Sequence, residues 1–350
     1  MLDEIRQQPS ALERTLREEL NVAVSLRERF ARNRPRLIIL AARGTSDNAA
    51  QFGRYLLEIT TGIPVSLAAA SVFTLYQATM DLRDVLLVAI SQSGESTDTN
   101  LVLERAAAQG AFTVGITNEP ASTLARLAQQ AFIVRAGTET SVAATKTYTG
   151  QLLSLYLLAY ALGAPLEIAD LERIPAAAER ALTLDARVAE IAGHYCFMDH
   201  AVVVGRGFNY ANAFEFALKM METCYVVAER FSSADFLHGP IAMVHRAFPV
   251  FLFAPPGLTW TATREMIEKL DSLGAKTLVV SDATNPEALA ASRRTIEVPV
   301  ELASRPGLPV DIFTPIPYII PAQLFAAYLA AEKGINPDQP RTLTKVTQTL

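Results

Sequence analysis

The sequence predicts an α/β protein made of two successive parallel sheets, each covered by helices on both faces. Short apolar runs alternate with stretches of helical periodicity along the 350 residues, and this alternation is typical of parallel sheets with helical connections. The same succession of runs then occurs a second time. Half of the residues are apolar, so large cores are expected and global disorder is not.

The predicted strands fall into two sets of four apolar runs. They are 37–42, 85–90, 112–117 and 132–137 in the first set, and 201–205, 249–254, 276–281 and 295–300 in the second. Four pairs of strand residues are each separated by 164 positions, namely Leu40 and Val204, Ile90 and Ala254, Thr113 and Thr277, and Val134 and Val298. Because a constant offset across four strands is hard to obtain by chance, we interpret the chain as a tandem duplication of one α/β unit.

These patterns divide the chain into five segments. A charged stretch of helical periodicity precedes the first strand, a helical stretch with two prolines joins the copies, and a tail without amphipathic period follows the strong helix 321–334. We expect an N-terminal helix, 1–36; a first subdomain, 37–164; a helical connector, 165–190; a second subdomain, 191–334; and a C-terminal tail carrying Lys345, 335–350.

Composition and charge exclude several function classes. The net charge of −5 argues against a nucleic-acid-binding surface. Cys196 and Cys224 belong to no CxxC pair and have no ligand-like histidine beside them, so no zinc site or disulfide framework is expected. The charged N-terminus is unlike a signal peptide, and no apolar run reaches transmembrane length. We expect a soluble cytoplasmic protein that binds neither nucleic acid nor membrane.

A loop of glycine and hydroxyl residues, 91-SQSGEST-97, lies between a predicted strand and a helix. One of the four hydroxyl groups in this loop is expected to cap the helix, but capping does not account for the other three. A phosphate site is the other interpretation, because free N–H groups and the helix dipole favour an anion there and Gly94 allows close approach. The turn 43-RGTSDN-48 ends another strand and can converge on the same anion. The second copy has 254-APPGLTWTA-262 at the matching position, where two prolines lack N–H groups, so the site is predicted in the first copy.

A row of charged residues marks the helix predicted to open the second copy. One face of this helix carries Glu215, Lys219, Glu222 and Glu229. Such a row is usually a solvated stripe with an ion pair. Here apolar residues cover most of the remaining circumference, which indicates a helix buried on several sides, and a carboxylate in that setting can transfer protons.

Two further candidates lie outside the predicted helices and strands. His238 precedes Gly-Pro in a loop, although a lone histidine is usually a polar surface residue. Lys345 lies in the terminal tail, for which disorder is the simpler interpretation, but an extended tail across a cleft could deliver its amine. The other histidines have no comparable context; they are His194, His200 and His245.

Taken together, the motifs resemble the sugar isomerase (SIS) family of phosphosugar-binding domains. They are GTS after the first strand, SQSGES after the second, 137-GTETSVAATKTYTGQL-152, 215-EFALKMME-222, 235-DFLHGP-240 and 338-DQPRTLTK-345. From about residue 30 to the end, the chain looks like the isomerase half of glucosamine-6-phosphate synthase, and 43-RGTSDNAA-50 looks most like stand-alone glucosamine-6-phosphate deaminases. The resemblance implies two tandem flavodoxin-like, three-layer αβα SIS subdomains with parallel sheets.

The resemblance also implies which residues bind a sugar phosphate. The phosphate would be held by Gly44, Thr45, Ser46, Ser91, Gln92, Ser93 and Ser96. Val142 and Ala144 would line the sugar, and the synthases usually have a serine at the position of Ala144. Sugar-phosphate substrate is therefore the expected partner.

Catalytic roles follow from the same resemblance. Glu222 would move a proton between sugar C1 and C2, while Glu215 and Lys219 would contact substrate or orient Glu222. His238 would open the sugar ring, reaching across from a neighbouring subunit of a homodimer, and Lys345 would form or support a Schiff base with the open-chain ketose. Glu229 matches a family carboxylate of less defined role. Neither proton transfer nor Schiff-base formation requires a metal or redox cofactor, so no metal and no cofactor are expected.

Three functions remain open at this point. The chain starts Met-Leu, and 36 residues precede the first predicted strand, so we do not expect the glutamine-hydrolysing domain of the synthases, whose N-terminal cysteine is the nucleophile. We therefore favour deamination, in which glucosamine 6-phosphate and water give fructose 6-phosphate and ammonia. The alternative enzyme is an isomerase or deglycase for another sugar-amine phosphate. A non-catalytic phosphosugar sensor would usually follow a DNA-binding module and would not need Glu222, His238 and Lys345 together.

Overall fold

The computed structural model describes residues 1–292, 294–300, 305–342 and 345. These residues form two compact units. The amino unit comprises Gln7–Glu139, Ala144–Glu172 and Lys345, and the carboxy unit comprises Met1–Arg6, Thr140–Ala143 and the described residues of 173–342. Of the predicted tail 335–350, residues 343, 344 and 346–350 lie outside the described residues.

The amino unit is a five-stranded parallel sheet with helices. Its strands follow the order β2-β1-β3-β4-β5, with bounds β1 Leu37–Ala41, β2 Val65–Leu67, β3 Val85–Ile90, β4 Phe112–Thr117 and β5 Gln130–Ile133. Every residue of β3 is buried, as expected for a central parallel strand covered on both faces. The helices of this unit are α2 Gln8–Arg32, α3 Thr45–Thr61, α4 Ala70–Thr74, α5 Thr97–Ala108, α6 Thr123–Leu127, α7 Lys146–Ala161 and α8 Ile168–Leu171.

The carboxy unit contains a second five-stranded parallel sheet. Its strand order is β10-β9-β8-β6-β7, with bounds β6 His200–Val204, β7 Val227–Phe231, β8 Pro249–Phe253, β9 Lys276–Asp282 and β10 Thr295–Val298. Its helices are α1 Leu2–Arg6, α9 Ile174–Leu182, α10 Asp185–Gly193, α11 Tyr210–Cys224, α12 Ser233–Leu237, α13 Trp260–Ser272, α14 Pro286–Ala291 and α15 Pro315–Glu332.

The two sheets have the same strand order. Numbered within its own unit, each reads 2-1-3-4-5, which is the flavodoxin-like order of a doubly wound sheet. The predicted fold class, two tandem αβα subdomains with parallel sheets, is confirmed. The shared order is consistent with the duplication interpreted from the constant offset. None of the described helices is both long enough and apolar enough to cross a membrane.

The edge strands β2 and β7 were not predicted. In the carboxy unit, α11 ends at Cys224 because Tyr225 adopts a left-handed conformation with φ of 53°. The chain then enters β7, so Glu229 lies on a strand. The prediction that Glu229 shares a helix face with Glu215 is therefore wrong.

Strand register brings the two hydroxyl-bearing turns of the amino unit together. In the parallel pair β1 and β3, Ala41 lies opposite Ala89. The turn that follows β1 and the loop that follows β3 consequently leave the sheet side by side at its carboxyl edge, which is where doubly wound sheets bind ligands. Helix α7 is internal to this unit, since all of its residues except Tyr160 are buried.

Candidate functional site

The loop between β3 and α5 is held by its own hydroxyl groups. The Gly94 amide donates to Ser91 Oγ at 3.2 Å, and the Glu95 amide donates to Ser93 Oγ at 3.2 Å. Ser96 occupies the N-cap position of α5 but makes no side-chain cap hydrogen bond to the described first turn. The prediction that one hydroxyl caps this helix is wrong, and the start of α5 keeps the donor character that favours an anion.

Gly94 is required by both conformation and space. Its φ is +66°, and a Cβ at this position would lie 2.2 Å from Ser122 Oγ and 2.8 Å from Thr117 Oγ1. Its carbonyl accepts hydrogen bonds from Asn100 Nδ2 and from the Leu124 amide, each at 3.0 Å. The loop is thus fixed by its surroundings, which lowers the entropy lost when a ligand binds.

The turn after β1 supplies a cation as well as hydroxyls. Gly44, with φ of 56°, precedes α3, and Ser46 in the first turn of that helix is buried. The Arg43 guanidinium donates to Asp98 Oδ2 through Nε at 3.1 Å and Nη2 at 2.6 Å. Asp98 is buried in the first turn of α5, so this ion pair ties the turn after β1 to the helix start after β3. The sequence motifs predicted neutral donors here and not Arg43, since no local pattern pairs residues 55 positions apart.

Lys345 lies against a buried carboxylate of the amino unit. Its Nζ donates to Glu139 Oε2 at 2.9 Å, and the Glu139 side chain is fully buried while that of Lys345 is 26% exposed. The same carboxylate accepts hydrogen bonds from the amides of Thr145 and Thr147, at 2.9 and 3.2 Å, and from Thr147 Oγ1 at 2.8 Å. Glu139 therefore accepts hydrogen bonds both from the start of α7 and from the Lys345 amine of the terminal tail.

Glu139 is a second residue of the candidate site that was not predicted, although it lies within the motif 137–152. An acidic residue a few positions before a helix start was the available signal, because a carboxylate accepts the free N–H groups and interacts favourably with the helix dipole.

In the carboxy unit, α11 carries a row of three alternating charges. Lys219 Nζ lies 3.4 Å from Glu215 Oε1 and 2.7 Å from Glu222 Oε2. The side chains of Glu215 and Lys219 are fully buried, whereas that of Glu222 is 23% exposed. The solvated-stripe interpretation does not hold for Glu215 and Lys219. Lys219 thus contacts both carboxylates, and Glu222 is the member of the row that solvent reaches.

The remaining predicted residues lie in loops. His238 is exposed, directly after α12, and is followed by Gly239 with φ of 146°. In the carboxy unit, the Val142 amide is 3.5 Å from the Asp338 carbonyl oxygen. Ala144, in the amino unit, is partly exposed just before α7.

Comparison with known proteins agrees with this architecture. The SIS domain family matches residues 33–161 and 198–333. The chain is 36% identical over 345 residues to a glutamine–fructose-6-phosphate aminotransferase (isomerizing) from Methanothermobacter thermautotrophicus, covering 99% of this chain and 56% of that protein. It is likewise 36% identical over 353 residues to the enzyme of that name from Pyrococcus horikoshii, covering 99% of this chain and 57% of the relative. The chain therefore spans rather more than half the length of these relatives.

Solved structures show the same likeness. The C-terminal domain of glucosamine-fructose-6-phosphate aminotransferase from Francisella tularensis superposes with a TM-score of 0.87 and 30% identity, covering 97% of this chain and 98% of that one. A glucosamine-6-phosphate deaminase from Thermotoga maritima shares the fold, with a TM-score of 0.74 and 22% identity over 97% of this chain and all of that one. The chain therefore belongs to the SIS domain family and, with two SIS segments, is homologous to the isomerase half of glutamine–fructose-6-phosphate aminotransferase.

Proposed function

We propose that this protein is a phosphosugar isomerase that deaminates glucosamine 6-phosphate, giving fructose 6-phosphate and ammonia. The observation that carries the proposal is the row Glu215–Lys219–Glu222. Burying charged groups is costly unless they are paired, and α11 is otherwise largely apolar. A row of this kind with one accessible carboxylate is the arrangement expected of a positioned base.

The proposed chemistry needs one base and one amine. His238 helps to open the ring, exposing the C1 aldehyde. Glu222 removes the proton from C2 and returns a proton to C1, which converts the C2 amine into a C2 imine. Lys345 adds to C2 in its unprotonated form, and a proton passes to the departing nitrogen, which leaves as ammonia while a Schiff base forms. Water then hydrolyses this bond to release the ketose and restore the lysine.

The choice of an amino sugar is supported by the relatives. Those at 36% identity are named for amino transfer to fructose 6-phosphate, and the Thermotoga maritima neighbour is named as a glucosamine-6-phosphate deaminase. The hydroxyl loop 91–96, the helix start at Thr97 and the cation of Arg43 suit a sugar phosphate.

The direct test is turnover of glucosamine 6-phosphate without glutamine. We expect ammonia and fructose 6-phosphate to appear in equal amounts. Interconversion of sugar phosphates without ammonia release would show an isomerase of different substrate range. Tight binding of sugar phosphates with no turnover of any of them would show a sensor.

The phosphate site predicts the behaviour of a double substitution in the loop. Ser93→Ala with Ser96→Ala should weaken binding of glucosamine 6-phosphate by about 2–4 kcal/mol, taking roughly 1–2 kcal/mol for each lost hydrogen bond to a charged group. Both side chains are partly exposed, so the thermal transition should change little. Calorimetric titration measures the effect, and Ser10→Ala with Ser272→Ala, at two exposed serines, is the matched control. Equal affinities in the two double variants would contradict the assignment.

We further propose that the active form is a homodimer in which His238 completes the site of the other subunit. Support comes from the exposed apolar side chains that flank His238, since Leu237 and Met243 are 42% and 46% exposed. Sedimentation should show a dimer or larger assembly. Mixing the inactive variants His238→Ala and Glu222→Gln should restore about a quarter of full activity, because half of the random dimers carry one intact site. No restored activity after subunit exchange, or a fully active monomer, would exclude this arrangement.

A further inference from the structure

Gln151 is a buried amide that contacts one of the proposed phosphate ligands. It lies on the internal helix α7 with none of its surface exposed. Its Nε2 donates to Ser46 Oγ on α3 at 3.0 Å. Its Oε1 is buried and has no hydrogen-bond partner among the described residues. Both residues belong to the amino unit.

We infer that Gln151 is a positioning residue that makes Ser46 a hydrogen-bond donor to the phosphate of the bound sugar. The inference rests on the proposed function, because it concerns the same phosphate site. A serine hydroxyl has a single proton and two lone pairs. When Nε2 occupies one lone pair, the hydroxyl proton points away from Gln151 and is available to an anion.

The orientation of the Gln151 amide decides whether the Ser46 hydroxyl donates or accepts a hydrogen bond at the phosphate. If the amide were turned over, Ser46 would donate its proton to Oε1 and could present only lone pairs, which a phosphate dianion repels. A carboxylate at position 151 would enforce that state, since an ionised carboxylate only accepts hydrogen bonds. Glutamine is thus the side chain of this size that can hold Ser46 in the donor state.

Packing alone does not account for an amide at this position. Helix α7 is enclosed, so an apolar side chain of similar volume would satisfy its surroundings at least as well. Another buried polar residue of the helix, Ser154, donates to the Gly150 carbonyl of its own helix at 2.9 Å. Gln151 instead reaches across to α3 and keeps a buried acceptor without a partner. Such a group is normally paired in a native protein, and a hydroxyl of the bound sugar or a water held with the phosphate can supply the missing donor.

The test compares Gln151→Met and Gln151→Glu in titrations with glucosamine 6-phosphate and with inorganic phosphate. Gln151→Met leaves the Ser46 hydroxyl free to rotate and should weaken binding about 3- to 10-fold, in keeping with one lost orienting hydrogen bond. Gln151→Glu should weaken binding about 100-fold or more. The new carboxylate accepts the hydrogen bond of the Ser46 hydroxyl and places a negative charge near the phosphate. Ser154→Ala is the matched control on the same helix and should bind normally.

A double-mutant cycle shows whether Gln151 acts through Ser46. In a Ser46→Ala background, Gln151→Met should cause no further loss of affinity, because the hydroxyl that it orients is gone. An equal loss in both backgrounds would overturn the inference, as would unchanged affinity in both Gln151 variants while the unsubstituted protein binds well. The thermal transition shows whether Gln151→Glu folds with its buried carboxylate. If it does not fold, the double-mutant cycle with Gln151→Met is sufficient to test the inference. Failure of the unsubstituted protein to bind either probe would overturn the proposed function and this inference with it.

Discussion

Replacing Glu222 by glutamine is expected to lower turnover of glucosamine 6-phosphate by about 10²–10⁴, the usual contribution of general acid–base catalysis. Glutamine keeps the shape of the side chain and an oxygen that can accept the hydrogen bond from Lys219 Nζ, which lies 2.7 Å from Glu222 Oε2. It removes the basic group and one negative charge beside Lys219, which remains paired with Glu215. Substrate binding should therefore change little, and the ammonia assay together with calorimetric titration separates the two effects.

Solvent isotope exchange adds a more specific measurement. During turnover in D₂O, the unsubstituted protein should introduce deuterium at C1 of the product, because the proposed base exchanges its proton with solvent. Glu222→Gln should lose this exchange together with turnover. The control is Glu265→Gln, at an exposed carboxylate of α13, which should behave as the unsubstituted protein does. Normal turnover in Glu222→Gln would remove Glu222 from the reaction.

Lys345→Arg is expected to abolish ammonia release while preserving the charge pair with Glu139. Arginine stays protonated at all relevant pH values, so it can bind the carboxylate but cannot add to a carbonyl. Borohydride added during turnover should trap the substrate on Lys345 of the unsubstituted protein, and mass spectrometry of peptides would locate the adduct. Lys269→Arg, at an exposed position of α13, is the control. Ammonia release at the normal rate by Lys345→Arg would disprove the Schiff-base role.

Loss of the tail should leave folding nearly unchanged. After deletion of 339–350, the Glu139 carboxylate would lose the Lys345 amine but keep three hydrogen bonds, from the Thr145 and Thr147 amides and from Thr147 Oγ1, so its oxygens stay solvated by the start of α7. Among the described residues that are removed, Pro340 alone is buried, and the thermal transition should shift little. A large loss of stability would mean that the tail serves the fold, and normal turnover would mean that Lys345 is dispensable.

Most of the predicted strands could be read from local patterns because they are covered on both faces, although the run 132–137 contains only the last two residues of β5. β3 is continuously apolar and wholly buried, and a run of that kind bounded by turn residues predicts a central parallel strand. The edge strands β2 and β7 gave no such signal. β2 has only three residues. β7, Val227–Phe231, follows α11 closely, and in the sequence its Glu229 continues the charge spacing of that helix, although the helix already ends at Cys224.

For the candidate site, the sequence determined the types of group present and the elements that bear them. The hydroxyl loop after β3, the charged row on α11 and the amine of Lys345 were all predictable, because motifs and helical spacing are local properties. Only the tertiary structure decided which of them are paired. Arg43 meets Asp98 across 55 positions, Gln151 meets Ser46 across 105 and Lys345 meets Glu139 across 206. Contacts at such separations depend on strand register and helix packing, which bring distant residues together without leaving a periodic trace in the sequence.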